Sequence, residues 1–276
     1  MEDMGHRETT VVAAAAAQVL LLVGLRPGTA GLLAGLFYGA GLLGLLAGAM
    51  HRAGRSRFGP ADLVTLGRAV LVVGVTALVT DGLVDGSTAT PVLVGLASVA
   101  LALDAVDGRV ARRTGTASAV GARFDMEVDA FLILVLSVHV AGIVGPWVLA
   151  AGLMRYAFVA AGWAWPWLRG SLPPNLAAKT VAAVQGVVLV VACVVGPLAA
   201  TVLVATALAL LSWSFGRDVR RLWSRRAEPV APPVRMTRVT TRRVAHCVPT
   251  RRRGAAHGGV RRTRTGHADV RHEVAR

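Results

Sequence analysis

The chain has 276 residues, of which 54% are hydrophobic and only 16% charged, with a mean hydropathy of +0.59. A soluble domain keeps about a quarter of its residues charged. The deficit excludes an ordinary water-soluble enzyme and points to a polytopic membrane protein. The net charge of +15 is concentrated in a tail: residues 217–276 hold 17 arginines against four acids, whereas the preceding 216 residues hold 13 basic and 11 acidic ones.

Eight apolar runs of near-spanning length follow one another, bounded by Gly, Pro, Arg or Asp: 9–25, 29–50, 61–80, 89–111, 119–142, 146–167, 177–195 and 198–216. Each predicts a helix, so the fold class is an all-α polytopic membrane bundle. The first run starts after Glu2, Asp3 and Glu8 rather than after a basic stretch, and reads as a span rather than a cleavable leader. In the second run, Gly31, Gly35, Gly39 and Gly41 read as positions of close helix packing. Basic connectors alternate with uncharged or acidic ones. Arg52, Arg55 and Arg57, then Arg109 to Arg123, Arg169 and the tail share one side, and Asp81 and Asp85 read as loop acids on the other. Positive charge is retained in the cytoplasm, which places these basic connectors and the C-terminus there. Over the last six runs the alternation is consistent, so the first two read as a hairpin added before a six-helix unit. After Trp223 the composition of Arg, Pro, Thr and Gly without periodicity predicts disorder. No aromatic residue follows Trp223, so the tail lacks a stacking platform for single strands. It fits anionic membrane lipids better than nucleic acid. Cys193 and Cys247 form neither a disulfide framework nor a metal motif.

Asp104, Asp107, Asp125 and Asp129 mark the cytoplasmic ends of the fourth and fifth helices. Carboxylates inside a membrane are costly and call for a function. The first pair is spaced i,i+3 and the second i,i+4, so each pair shares a helical face. A short turn near Thr114 to Ala117 makes the two helices antiparallel neighbours, and four carboxylates then converge. Such a group repels itself unless cations neutralise it. Oxygen ligands suit Mg²⁺ or Mn²⁺, and two such ions would clamp a diphosphate. Gly108 and Gly121 leave room for a close ligand, Ala111 keeps the wall shallow, and Arg112 offers charge to phosphate oxygens. The competing reading pairs the aspartates with Arg109, Arg112, Arg113 and Arg123 at the helix ends. Glu127 lies on another face and reads as solvated or paired with an arginine.

The stretch resembles the signature of the CDP-alcohol phosphatidyltransferases, Asp-x2-Asp-Gly-x2-Ala-Arg-x8-Gly-x3-Asp-x3-Asp. Every fixed position is filled, by Asp104, Asp107, Gly108, Ala111, Arg112, Gly121, Asp125 and Asp129. Residues 60–68 are similar to the family's Pro-Asn-x2-Thr-x2-Arg segment through Pro60, Thr65 and Arg68, with Asp62 and the spacing departing from it. Lys179 and Gln185 resemble a Lys-x2-Thr-x2-Gln pattern in which Ala182 replaces the Thr. The resemblance implies a six-helix catalytic domain over 59–223, after a hairpin and basic connector over 1–58 and before an Arg-rich tail over 224–276. It implies transfer of a phosphatidyl group from a CDP-linked lipid, usually CDP-diacylglycerol, to an alcohol, releasing CMP in phospholipid biosynthesis. It further implies Asp129 as general base, the four aspartates as ligands of two divalent ions, and Gly108, Ala111, Arg112, Gly121 and Thr65 beside the nucleotide. Similar enzymes are often homodimers. The setting is the plasma membrane, with the active site facing the cytoplasm.

Four cations are candidates for an acceptor site: Arg68, Arg155, Lys179 and Arg217. Arg155, mid-span, reads either as a ligand for an anionic headgroup or as the partner of a motif aspartate. Lys179, the only lysine, reads as acceptor ligand or as a snorkelling side chain, and Arg217 as acceptor ligand or helix cap. If they converge, the acceptor is a phosphorylated polyol such as glycerol 3-phosphate or inositol phosphate. Trp163, Trp165 and Trp167 read as an interfacial belt. Two other functions fit helix-borne aspartates: an intramembrane prenyltransferase acting on a prenyl diphosphate, and a divalent-cation transporter.

Overall fold

The computed structural model describes residues 2–53, 58–86, 88–114, 119–169 and 176–225; for 2–7, 107–114, 119, 166, 169, 176–179 and 225 it describes the backbone alone. Eight α-helices run through the described residues: α1 (Glu2–Leu25), α2 (Thr29–Arg52), α3 (Pro60–Asp85), α4 (Thr90–Thr114), α5 (Ala119–Val144), α6 (Leu149–Ala164), α7 (Leu176–Ala192) and α8 (Pro197–Arg225). Single 3₁₀ turns at Pro146–Val148 and Pro166–Arg169 flank α6. Six helical stretches are long and apolar enough to cross a membrane: Glu8–Leu25, Thr29–Arg52, Pro60–Asp85, Val120–Val144, Pro146–Ala164 and Pro197–Ser224. Helices α4 and α7 contribute the shorter apolar stretches Thr90–Val106 and Thr180–Ala192. The chain is a multi-pass, all-α membrane protein. Of the predicted disordered tail, residues 224 and 225 continue α8, and the rest falls outside the described residues.

Helix α3 is the axis of the bundle. It touches α1, α2, α4 and α5, and every residue from Val72 to Val79 is buried. A helix apolar on all sides finds that environment only at the centre. Around it lie the buried faces of α4 (Leu93, Ala97, Ala100) and α5 (Val128, Leu132, Leu136), with Leu189 of α7 and Val204 of α8 completing the core. Outward, Leu20, Phe37, Leu45 and Leu198 are each at least 70% exposed. Large apolar side chains on the outside are what a bilayer solvates. Hydroxyls within the spans donate to the carbonyl four residues back, as Thr76 does to Val72 at 2.7 Å and Ser137 to Ile133 at 2.7 Å. That local bond satisfies them where no water is present.

Helix starts and stops follow local chemistry. Gly59 caps α3, its N–H donating to the Asp62 carboxylate at 2.9 Å, and Pro60 occupies the first turn. Gly86, at φ 70°, closes the same helix, a conformation that only a residue without Cβ adopts freely. Two helices outrun their apolar patterns. α3 passes residue 80 to reach Asp85, and α8 passes residue 216 to reach Arg225. Arginine favours helix without favouring lipid, and the extension of α8 from residue 217 to 225 holds four arginines. Leu222 of the extension is buried, and Trp223 meets Trp167 edge-on at 5.2 Å between ring centres. Trp167 therefore belongs to a tertiary contact, while Trp163 and Trp165 stay exposed.

The hairpin α1–α2 is tied to α3 through Asp81. This residue is no loop acid: its two carboxylate oxygens accept the N–H groups of Gly28 at 2.7 Å and Gly31 at 2.8 Å. A negative group thus caps the N-terminus of α2, where the helix dipole and the unpaired N–H groups favour it. Three of the four glycines read from sequence are close-packing positions. A Cβ on Gly31 would lie 2.5 Å from the Ala77 carbonyl of α3, and one on Gly39 would lie 2.5 Å from the Gln18 side chain of α1. Gly35 faces Leu22 and Val73. Gly41 corrects the reading: nothing lies within 4 Å of its Cβ position, because it falls on the exposed side of α2. Replacing Asp81 with Ala is expected to lower stability by about 1–2 kcal/mol, seen as a lower thermal midpoint of the detergent-solubilised protein. An unchanged midpoint would show that the cap does not hold the hairpin.

Candidate functional site

Helices α3, α4 and α5 bring one basic and three acidic side chains together. Asp104 stands in α4, and Asp125 and Asp129 stand one turn apart in α5. Each of the three offers a carboxylate oxygen within 4.8 Å of the others. Into this group reaches Arg68 of α3. Its Nη1 lies 3.0 Å from Asp104 Oδ1 and also bonds Asp125, while its Nη2 bonds Asp129. The guanidinium is fully buried, whereas the three carboxylates remain about one-third exposed. The arginine thus forms the inner wall and the carboxylates open outward. Forked donors suit arginine to this task, since one planar group can serve several carboxylates. Among the described side chains, three negative charges stand against one positive, and the acids present oxygen ligands.

The local sequence explains the placement. Arg68 lies eight residues into α3, past the Pro60 start, and Thr65 precedes it by one turn. Thr65 is buried, with its hydroxyl donating to the Ala61 carbonyl at 3.2 Å. Gly121 lies one turn before Asp125 on α5. Asp107, Gly108, Ala111, Arg112 and Lys179 fall outside the residues whose side chains are described. The convergence is therefore observed for three of the four motif aspartates.

Arg155 bonds Glu127 through its Nη2. Among the described side chains, none of the motif aspartates is its partner. The reason lies in the helix: Glu127 is spaced two residues from both Asp125 and Asp129, which turns it to a different face of α5, and this is the face that α6 covers. There a Cβ on Gly152 of α6 would touch Leu134 of α5. Arg217 stays close to its own helix, with its guanidinium 5.1 Å from the centre of the Trp213 ring and its Nε 3.7 Å from Asp218.

Sequence reasoning missed the tyrosines. The chain has only two, Tyr38 and Tyr156, and both lie near Glu127. Tyr38, from the added hairpin, stacks flat on Phe131 of α5, with ring centres 3.9 Å apart and 7° between planes. Their scarcity in an aromatic-poor chain was the available signal. Gln185 of α7 is fully buried, with neither end of its amide hydrogen-bonded among the described residues.

Comparison with known families matches residues 59–213 to the CDP-alcohol phosphatidyltransferase model. Comparisons with the curated proteins and with the solved structures find no significant match. The matched segment covers more than half of the chain and begins at the Gly59 cap of α3. It contains every aspartate of the site, together with Arg68, Arg155 and Lys179. The chain is a membrane transferase that belongs to the CDP-alcohol phosphatidyltransferase family.

Proposed function

We propose that this protein transfers the phosphatidyl group of CDP-diacylglycerol to a hydroxyl of a polar acceptor, releasing CMP, as a step of phospholipid biosynthesis. The observation that carries this reading is the convergence of Asp104, Asp125 and Asp129 in a partly open acidic group within the matched segment. Bare carboxylates repel a diphosphate, and the donor set resolves the difficulty. Closely spaced carboxylate oxygens, open on one side, suit hard divalent cations. Asp104, Asp125 and Asp129, with Asp107 as the fourth ligand, would hold two Mg²⁺ or Mn²⁺ ions. Such ions supply charge neutralisation for the diphosphate and polarisation of the reacting phosphorus.

The chain's own residues supply the rest. Asp129 accepts the proton of the acceptor hydroxyl as its oxygen bonds to the lipid-side phosphorus. The bond from that phosphorus to the bridging oxygen breaks, and CMP leaves with the electron pair. A carboxylate in such a setting is a weak base, and it gains by proximity. Arg68 keeps the aspartates in register from behind. Gly108, Ala111, Arg112, Gly121 and Thr65 form the nucleotide side. Arg155, Lys179 and Arg217 are the cations available to a phosphorylated acceptor such as glycerol 3-phosphate or inositol phosphate, although Glu127 already takes up part of Arg155's charge; Arg68, expected from sequence as a fourth, is instead buried behind the aspartates it binds. The basic connectors support a cytoplasmic active site in the plasma membrane. A prenyl diphosphate fits this arrangement less well, because the acids form one compact unit with Gly-x2-Ala-Arg between them.

The test is CMP release from CDP-diacylglycerol with Mg²⁺ and a panel of alcohols. Turnover with a prenyl diphosphate instead, or cation uptake into liposomes without any lipid substrate, would replace the reading. Asp129→Asn is expected to lower turnover at least about 10³-fold while CDP-diacylglycerol binding stays measurable; full turnover removes its role as base. Asp104→Ala is expected to weaken Mn²⁺ binding about tenfold or more, read by the paramagnetic signal of free Mn²⁺. Unchanged binding would remove Asp104 from the ligand set.

A further inference from the structure

The N-terminal hairpin lies outside the matched segment, yet it reaches the interior of the bundle. Three observations converge on Tyr38 of α2. First, its hydroxyl is fully shielded from solvent and has no hydrogen-bond partner among the described residues. A buried donor left unpaired is costly, so native structures seldom retain one without a purpose. Second, the ring is held flat against Phe131, which fixes where the hydroxyl points. Third, among the described residues Arg68, Glu127 and Tyr156 lie within electrostatic range of that hydroxyl. Arg155, bonded to Glu127, has its Nε buried and likewise unpaired.

Helical geometry explains why these residues meet. Glu127 and Phe131 are spaced i,i+4 and share one face of α5, turned away from the face that carries Asp125 and Asp129. Helix α2 reaches the Phe131 face because Gly35 and Gly39, on either side of Tyr38, let it lie close to α1 and α3. Arg68 joins the two neighbourhoods. Its guanidinium holds the motif aspartates, and it stands within range of the phenol. A second polar cluster thus adjoins Arg68, made of a phenol, a second tyrosine and an ion pair whose charges offset each other.

We infer that the added hairpin completes the acceptor site, with the Tyr38 hydroxyl binding a hydroxyl of a polyol acceptor other than the one that reacts. The inference rests on the transferase reading above and narrows it. A phenol both donates and accepts one hydrogen bond, and the Glu127 carboxylate accepts further ones. The offset charges of Glu127 and Arg155 favour a guest rich in hydroxyls over one recognised by net charge alone. The chemistry selects an acceptor with several hydroxyls, such as glycerol 3-phosphate or inositol phosphate, over serine.

The experiment uses the full-length protein in mixed micelles with CDP-diacylglycerol and Mg²⁺, and measures CMP release with glycerol 3-phosphate, inositol phosphate, inositol and serine. Tyr38→Phe keeps the stacked ring and removes only the unpaired oxygen, so its thermal midpoint should match that of the native protein. Its KM for the polyol used is expected to rise about five- to tenfold, the loss of one hydrogen bond, with KM for CDP-diacylglycerol unchanged. Equal acceptor KM values in the two proteins overturn the inference while leaving the transferase reading intact. So does native turnover with serine alone, a parallel rise in KM for CDP-diacylglycerol, or a markedly lower midpoint in the variant. Absence of CMP release from the native protein with all four alcohols overturns the transferase reading and this inference with it.

Discussion

One buried guanidinium organises the bundle. Arg68 bonds carboxylates from two other helices, and this contact sets how α3, α4 and α5 are rotated against one another. Charged groups inside a membrane-spanning bundle are tolerated only when they are paired or open to water. Here both conditions hold at once. The cation is sealed behind the helices, and the anions, about one-third exposed, face the opening. The acidic surplus at that opening is what a cationic or cation-bearing guest would meet. The apolar packing of α3 serves the same end. Burial from Val72 to Val79 fixes the helix one turn beyond Arg68, so the guanidinium cannot retreat along its own axis.

The eight helices were legible because lipid solvation demands long apolar runs and Gly, Pro, Arg and Asp interrupt them. The acidic site was legible because i,i+3 and i,i+4 spacings bring carboxylates to one face whatever the rest of the fold does. Pairings across distant helices were not. Arg155 had several acids within reach of its charge, and only the rotation of α5 assigns it to Glu127. Asp81 looked like a loop residue because the apolar run of α3 ends at residue 80, yet helix continues through it and its carboxylate caps a different helix. Gly41 carried the same small-residue signal as Gly39, and only the azimuth around α2 separates a packed glycine from an exposed one. Tyr38 had no motif to announce it. Its surroundings come from α3, α5 and α6 together.

The hairpin, which reads in sequence as an appendage, is joined to the core on terms set by polar chemistry as much as by packing. Asp81 fixes its outer end, the Gly31, Gly35 and Gly39 stripe sets its distance from α1 and α3, and Tyr38 carries it to α5. The family segment begins only at residue 59, so these contacts lie between an element outside that segment and helices inside it.

The sequence separations within the Arg68 cluster bear on how the protein is made. Arg68 precedes Asp125 by 57 residues and Asp129 by 61. During synthesis from the N-terminus, α3 therefore enters the bilayer before its anionic partners exist. The hairpin is already present, and Asp81 can dock it at the far end of α3 straight away. The backbone of Arg68 lies about 12 Å from the start of α3, counting 1.5 Å for each of eight residues. A long side chain at that depth can extend to the headgroups while it waits. Asp104 of α4 is the first carboxylate to arrive, and the cluster around Arg68 is complete only when α5 brings Asp125 and Asp129, so closure of the bundle is coupled to the arrival of its fifth helix.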